Sequence, residues 1–560
     1  MSIFSSVRVK KPKKNKFNLS HEKKISGRMG DLIPCLCMEV VPGDTFRGGT
    51  EMICRFAPMT HPVMHNINAR IEYFFVPNRL VMEGWEDFIT GGQHVKGKQP
   101  VAPPPIPTMK YGMFPANLDY VPDEFTNGSL CDYMGLPTVD PGQFEGNDTR
   151  VFQQDVSILP FRAYQLIYDD YYRDQSLEEE RTAFKRAPSF NSSLQVFQDP
   201  DGLLKLQKRA WQKDYFTSAL PWAQKGDVDI PISLKQGAQV YLDTDSIDDV
   251  QYIVDPATGQ KQPQELKLFA GGTYGLGVGN SEPSAPGVLD PNGTLKVDAE
   301  AESGTITDLR RAFKLQEWLE KQALAGSRYI ETIMAHFGVR GKDARLQRPQ
   351  FLGGGKVPVV ISEVIQHSST TREGNETTSV LGDMAGHAVA VGNSPKFSYT
   401  ADEHGYIIGI LSVMPETGYM QGIPRHFSKL DKYDYYWPEF AHIGEQEVKN
   451  KELFFAWNQT QEDDAVDHND DTFGYQSRYS EYKYIPNTVH GDFRGNLLSW
   501  HMARKFDSRP NLNNTFIKPG DDTLNRPFSV QEDANEHLWI ELYHHVKALR
   551  PMPYYGTPRM

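Results

Sequence analysis

The sequence predicts a mainly β protein, an antiparallel β-sandwich enlarged by long loop and helical insertions. Three observations carry this. Short runs of β-branched and aromatic residues, punctuated by Pro and Gly, occur near both ends of the 560-residue chain. Its 46 Gly and 38 Pro exceed the roughly 12% of average usage, which favours turns over a helical bundle. Only two stretches carry helical spacing. Hydrophobic residues, at 39%, suffice for a large core, and length alone leaves two to four domains of about 150 residues open.

The elements follow in order. Residues 32–41 (LIPCLCMEVV) and 50–56 (TEMICRF) read as strands separated by the Pro42-Gly43-Asp44 turn, and 68–76 (NARIEYFFV) as a third strand ending at Pro77. Residues 91–112 read as a loop stiffened by five prolines between 100 and 107, and 113–150 as irregular. A helix is expected over 159–174, with Pro160 in its first turn and Tyr164, Ile167, Tyr168 and Tyr171 on one face. Residues 227–305 are polar, rich in Gly, Asp and Pro, and without a helical pattern. A long helix follows over 307–337, capped by Thr307 or Asp308, interrupted at Gly326 and stopped at Gly338. Strands are expected at 357–365, 386–391, 396–400 and 406–413, the last two joined as a hairpin through 401–405. A final strand covers 537–549. The chain thus divides into a basic arm (1–30), the first part of the sandwich with its insertions (31–226), a polar insertion (227–305), and the helix with the remaining strands (306–560).

Charge is unevenly spread. Residues 1–30 hold nine Lys and Arg against Glu22 alone, so a net charge of −13 conceals an arm near +8 and a body near −21. Such an arm cannot build a core, but it can neutralise phosphates without reading sequence. The N-terminus lacks a secretory h-region, and the longest apolar run, 406–414, is far short of the ~20 residues of a membrane span. Four cysteines form no disulfide framework, which points to a reducing cytoplasm. Strand alternation places Cys35 and Cys37 on one buried face.

Motifs for chemistry fail on inspection. Gly353–Lys356 (GGGK) lacks the Ser or Thr of a phosphate loop and reads as a turn before a strand; Gly271–Gly279 lacks GxGxxG spacing and reads as turns. His61 and His65 are spaced i, i+4, but Pro62 opposes the required helix, so His65 reads as a packing residue. Glu541–His544 gives an ExxH on a strand, whereas a di-iron site needs that motif twice on helices. The acidic loop 462–471 either binds a hard cation or is simply solvated; it lacks the Gly and Glu of an EF-hand. No catalytic set, metal site or cofactor is expected, and the chain reads as no enzyme.

Several segments taken together resemble one family: SGRMGDLIPC (26–35), LPFRAYQLIYDDYYRDQ (159–175), RAWQKDYFTSALPWAQKG (209–226), LRRAFKLQEWLEK (309–321), HFGVRGKDARLQRPQFLGGG (336–355), HGYIIGILSVMPETGY (404–419) and VKALRPMPYYGTP (546–558). They resemble, in order and over most of the chain, the major capsid proteins of microviruses, specifically the gokushovirus branch of small single-stranded DNA bacteriophages. Gly341-Lys342 stands where Ser-Pro is common, and the final strand is unusually rich in histidine (His537, His544, His545). The resemblance implies an eight-stranded jelly roll whose subunits form a T=1 icosahedral shell of sixty copies around a circular single-stranded DNA genome. It also implies a virion component assembled in the bacterial host cytoplasm, and a large insertion forming three-fold protrusions that contact a host-cell surface receptor. The polar block 227–305 is the expected protrusion. A separate small basic DNA-binding capsid protein is an implied partner.

A shell subunit associates through several distinct faces, and Tyr and Trp favour interface centres. Tyr171, Tyr172, Tyr435, Tyr436 and Trp437 are therefore expected either at subunit contacts or between the sandwich and its insertions. Lys10, Lys11, Lys13, Lys14 and Lys16 are expected to face the genome, or to strap neighbouring subunits. A receptor- or glycan-binding β-sandwich is the alternative function; a glycoside hydrolase would need a carboxylate pair about 5–10 Å apart.

Overall fold

The computed structural model describes residues 13–90, 105–111, 123–138, 154–181, 202–223, 240–242, 252–254, 261–263, 265–269, 273–277, 295–297, 306–325, 347–367, 370–371, 377–379, 381–457, 468–530 and 536–555. It has two compact units, one of Met1–Ala223 with Gln322–Met560, the other of Gln224–Lys321.

The larger unit is built on strands β1 (Asn15–Asn18), β2 (His21–Gly27), β3 (Ile33–Val40), β4 (Thr45–Phe56), β5 (Ile67–Pro77), β6 (Gln350–Pro358), β7 (Val360–Ile365), β8 (Met384–Asn393), β9 (Phe397–Thr400), β10 (Gly405–Pro415) and β11 (Leu538–Arg550). One sheet runs β1-β11-β4-β8-β7, with β2 also paired to β11 and β9 to β4; the other runs β6-β5-β10-β3. Every pairing is antiparallel. Strand β11 shows why the sequence reads as it does. Leu538, Ile540, Leu542, His544, Val546 and Ala548 are buried, while the residues between them are exposed, the period of a sheet with one wet face.

The main core lies between the sheets, where Phe46, Cys54 and Leu542 meet Ile71, Tyr73 and Ile407. A polar chain crosses it. The His544 imidazole lies 2.8 Å from Thr50 Oγ1 through Nδ1 and 3.2 Å from the Cys35 carbonyl through Nε2. Thr50 in turn contacts the Tyr73 hydroxyl, which lies 2.8 Å from Ser394 Oγ. One assignment satisfies every group: Nε2–H donates to Cys35, and each hydroxyl from Ser394 onward donates to the next acceptor, ending at Nδ1. Desolvation pushes the His544 pKa down to about 4, with neighbouring His21 lowering it further.

A second core covers the opposite face of the β6-β5-β10-β3 sheet. Helix α1 (Leu159–Ile167), with Pro160 in its first turn, packs Phe161, Tyr164 and Ile167 with Phe74, Val76 and Ile408. Strand β10 is therefore buried on both sides, which explains its unbroken apolar run. The helix expected to reach residue 174 changes at Tyr168 into a π-helical turn, Tyr168–Tyr172. The wider turn shifts the phase, so Tyr164, Ile167 and Tyr168 are buried while Tyr171 is 36% exposed. A third, smaller core gathers Tyr215, Phe216, Tyr419, Val448 and Phe473. Beside it Asp214 accepts from the Phe216 and Thr217 amides at 3.0 and 2.8 Å and from the Tyr419 hydroxyl at 2.7 Å.

Several local expectations are corrected. Thr108–Tyr111, expected in a loop, is a strand paired with Gln154–Ser157, and Leu130–Met134, expected to be irregular, is a helical turn capped by Ser129. The run 357–365 is two strands in different sheets, because the chain crosses over at Val359, just after Pro358 removes a ladder donor. Gly353, Gly354 and Gly355 lie inside β6 and not in a turn; a Cβ on Gly355 would stand 2.3 Å from Pro395 Cδ. Strands β9 and β10 are no hairpin: one pairs with β4, the other with β5 and β3. A bulge opposite Gly409 and Ile410 puts Cys35 and Cys37 out of phase, so Cys35 is buried and Cys37 exposed.

In the smaller unit the described residues form three two-stranded ladders: Tyr252–Val254 with Lys261–Pro263, Glu265–Phe269 with Thr273–Gly277, and Val240–Leu242 with Leu295–Val297. Part of the glycine-rich run 271–279 is thus a strand. Helix α2 spans Ile306–Ala325; the continuation expected to 337 lies outside the described residues.

Candidate functional site

Of the five arm lysines, Lys10 and Lys11 lie outside the described residues, while Lys13, Lys14 and Lys16 are exposed. The arm is bound to the sandwich from Asn15 on. Strand β1 pairs with Lys547–Arg550, the Asn15 side chain donates to the Met552 carbonyl at 2.6 Å, and Phe17 packs against Tyr554 at 5.2 Å. Strand β2 adds seven residues along β11. The exposed cations are thereby held at the edge of a sheet.

The tyrosines expected at interfaces separate into two environments. Tyr172 is half-buried, and its hydroxyl donates to Glu72 at 2.7 Å. Tyr171 packs on Phe74 at 4.8 Å and donates to the Pro349 carbonyl at 2.6 Å. Tyr435, Tyr436 and Trp437 are exposed instead, in a segment of two 3₁₀ turns, Lys432–Asp434 and Pro438–Phe440. They do not stand alone. Tyr436 meets Tyr479 at 4.9 Å and Tyr482 at 6.3 Å, and Phe427, Tyr482, Tyr484 and Ile485 are exposed in the same neighbourhood. Ile485 is 91% and Phe427 70% exposed, well beyond what scattered surface apolar residues need. The sequence carries a weak signal for this second group, the alternating Tyr482, Tyr484 and Pro486, but nothing in it joins the group to 427–437.

Beside this aromatic shelf lies a cavity of about 500 Å³, lined in part by Tyr215, Tyr419, Phe427, Tyr482 and Ile485. Its charged floor is internally matched. Arg425 bonds Glu452 at 2.9 Å, the Tyr215 hydroxyl donates to the same carboxylate at 2.9 Å, and Lys429 reaches Glu481 at 3.0 Å. Burial opposes the Lys429 charge, yet hydrogen bonds to Tyr482 and Glu481 hold its pKa above the ordinary value. The ammonium stands 3.9 Å from the Tyr482 ring centroid, a close cation–π contact. Arg494 in the lining, Lys432 over the Tyr433 ring and Lys483 on Ser477 have no carboxylate partner among the described residues.

The metal candidates dissolve among the described residues. His65 Nε2 donates to the Glu416 carbonyl at 2.6 Å and burial lowers its pKa, while His61 stacks on Trp500. Glu541 and His544 point to opposite faces of β11. Of the acidic loop, Asp470 is paired with Lys449 and Lys451, and Asp471 with His468 and Arg509; residues 462–467 lie outside the described set. No group of three or more His, Cys, Asp or Glu could hold a metal ion among the described residues. No described helix is long and apolar enough to cross a membrane.

An exposed aromatic shelf, a basic sheet edge and a floor of matched charges suit association better than turnover. Comparison with known proteins agrees. The Capsid protein VP1 of Chlamydia phage 1 is 34% identical, covering 99% of this chain and 97% of that protein. The Capsid protein VP1 of Bdellovibrio phage phiMH2K is 32% identical, covering 97% and 95%. That of Spiroplasma virus 4 is 28% identical, also covering 97% and 95%. The family described as Capsid protein (F protein) matches residues 5–560. From its fifth residue to its last, this chain belongs to the Capsid protein (F protein) family.

Proposed function

We propose that the chain is the subunit of a T=1 icosahedral shell, sixty copies enclosing a circular single-stranded DNA genome. As a member of its family it is a structural, non-enzymatic component of a bacteriophage virion and works in many copies. The observation that carries the finer reading is strand order. Strands β2-β11-β4-β8 on one side and β3-β10-β5-β6 on the other are the pattern of an eight-stranded jelly roll. Within these eight, successive strands change sheet at every step except β5 to β6, where the long excursion 78–349 is inserted. Strands β1, β7 and β9 extend this frame.

The remaining assignments rest on sequence and placement. The block 227–305 falls wholly within the separate unit Gln224–Lys321, which supports its reading as a surface protrusion for host attachment at the three-fold axes. The arm, through Lys10, Lys11, Lys13, Lys14 and Lys16, touches the genome beside a small basic DNA-binding capsid protein. The exposure of Tyr435, Tyr436 and Trp437 supports their place at subunit contacts. The intrachain partners of Tyr171 and Tyr172 support the gap-filling role for that pair.

Electron microscopy of the purified full-length protein tests the reading. Shells of one diameter are expected, with surface projections that disappear when 227–305 is replaced by a short linker. A protein that stays monomeric at high concentration overturns it.

A further inference from the structure

We propose that the free edge of β7 pairs with the same edge of a second copy of the chain, antiparallel, about a two-fold axis through residue 363. This rests on the shell reading, which supplies the second copy, and names one of the contacts that hold it.

Strand β7 ends its sheet, and no ladder partner lies beyond it among the described residues. Its Val360, Val364 and Ile365 are 64, 55 and 41% exposed. The bonding on its inner side settles which groups are open. Strand β7 pairs with β8 from Val360 opposite Val389 to Ile365 opposite Met384. One step further in that register, the Gln366 amide donates to the Asp383 carbonyl at 2.8 Å. Gly386, opposite Glu363, instead exchanges both its backbone bonds with Met59 at 3.1 Å. Bonded and unbonded positions alternate along an antiparallel pair. Val360, Ser362 and Val364 therefore bond to β8, while Ile361, Glu363 and Ile365 turn their amides and carbonyls outward. An open, β-branched edge of this kind is a template for another strand.

The spacing selects the occupant. Across an antiparallel pair, outward positions bond only to outward positions. A two-fold rotation through residue 363 sets Ile361 opposite Ile365, Glu363 opposite Glu363 and Ile365 opposite Ile361, so every outward amide and carbonyl of both copies finds a partner. A shift of two residues spoils the match. In one direction Ile365 meets Val359, whose amide is already given to the Ile67 carbonyl at 2.9 Å; in the other, Ile361 meets His367, past the end of the strand. The side chains agree with the backbone, since isoleucine faces isoleucine on both sides of the axis. A patch that complements itself makes the isologous contact of a two-fold axis.

Size and charge keep this contact weak on its own. An edge of 6 residues falls short of the ~1,200 Å² of a stable interface, so it closes between copies that other faces already hold, as in a shell. Glu363 is exposed and meets its own copy on the axis. Such a like-charge pair weakens the contact and keeps the edges of free subunits apart.

The test is a cysteine on the axis. In the full chain carrying Glu363→Cys, the two thiols face each other within disulfide reach, whereas two copies of Ile361→Cys stand about 13 Å apart along the strands. Particles are assembled in reductant, oxidised, and run on non-reducing gels beside the unsubstituted chain, whose exposed Cys37 sets the background. Covalent dimer at least tenfold more abundant from Glu363→Cys than from Ile361→Cys is expected. In parallel, Ile365→Pro removes an outward amide and spares the ladder to β8; it should lower the assembled fraction at least tenfold while the melting of the unassembled chain stays unchanged. Glu363→Cys particles without dimer, equal dimer from Ile361→Cys, or normal assembly of Ile365→Pro overturns the edge contact and leaves the shell reading standing. An unsubstituted chain that forms no shell overturns the shell reading. Wherever particles fail to form, oxidation of the concentrated Glu363→Cys chain decides the edge: dimer supports it and monomer overturns it.

Discussion

Replacing His544 by Gln should flatten the acid sensitivity of the subunit. In the folded chain the imidazole is buried and neutral, with a pKa pushed from 6.5 to about 4 by desolvation and by nearby His21 and Lys23. The unfolded chain titrates near 6.5, so below that pH it takes up a proton that the folded chain refuses. Stability is therefore complete above pH 6.5, falls as the pH drops towards 4, and levels off below it. At 1.36 kcal/mol per pH unit, the displacement corresponds to about 3 kcal/mol in all, of which about 2.5 kcal/mol is lost by pH 4.5. Gln keeps a donor for the Cys35 carbonyl and an acceptor for Thr50 but does not titrate. At neutral pH it should cost about 1 kcal/mol for poorer geometry. The assay is urea unfolding of the unassembled subunit from pH 7.5 to 4.5. Other buried histidines such as His65 and His501, also lowered by burial, contribute equally to both proteins and cancel in the difference. Curves for the two proteins that run parallel across this range refute a neutral His544 in the core.

Four further outcomes are expected. Gly355→Ala would set a methyl 2.3 Å from Pro395 Cδ, and the forced shift should cost about 1–3 kcal/mol in urea unfolding. Asp214→Asn keeps an oxygen for the amides of Phe216 and Thr217 but replaces the one that accepts from the Thr417 and Tyr419 hydroxyls with a donor; a loss of about 3 kcal/mol is expected by the same measurement. Tyr436→Ala should reduce shell yield in sedimentation while leaving subunit melting unchanged, whereas Tyr171→Ala, which loses its contacts with Phe74 and Pro349, should lower melting first. Replacing Lys10, Lys11, Lys13, Lys14 and Lys16 with Gln should lower the DNA content of purified particles and leave empty shells; normal genome content removes the DNA role of the arm.

Legibility in the sequence followed solvent. Strand β11 is readable residue by residue because one of its faces is wet and the other dry. Strand β10 is readable only as an apolar run, because helix α1 and the opposing sheet cover both faces. What escaped was which sheet a strand joins. The run 357–365 looks continuous, yet its halves lie on opposite sides of the core, since sheet membership depends on partners far away in the chain. The arm is visible as charge, but as strands it hardly is: His21–Gly27 carries its cations on a sheet edge with little apolar alternation. At the candidate site the cluster 433–437 is legible by composition. Its continuation through Phe427, Tyr482, Tyr484 and Ile485 is not, because folding alone brings those segments together. The histidines of the final strand stand out in the sequence without indicating a role, and the role depends on a register that sets His544 against Thr50.

That register also sets a clock. Strand β11 lies between β2 and β4 in its sheet, but His544 is made 494 residues after Thr50. At roughly 5–20 residues per second the ribosome needs about 25–100 s to deliver it. Until then β2 and β4 lack the neighbour that joins them, and the inter-sheet core lacks Leu538, Ile540 and Leu542. A nascent chain is thus unfinished where the two sheets meet, and only a completed chain can offer its neighbours a rigid face. Synthesis and shell growth are separated in time by the position of one strand.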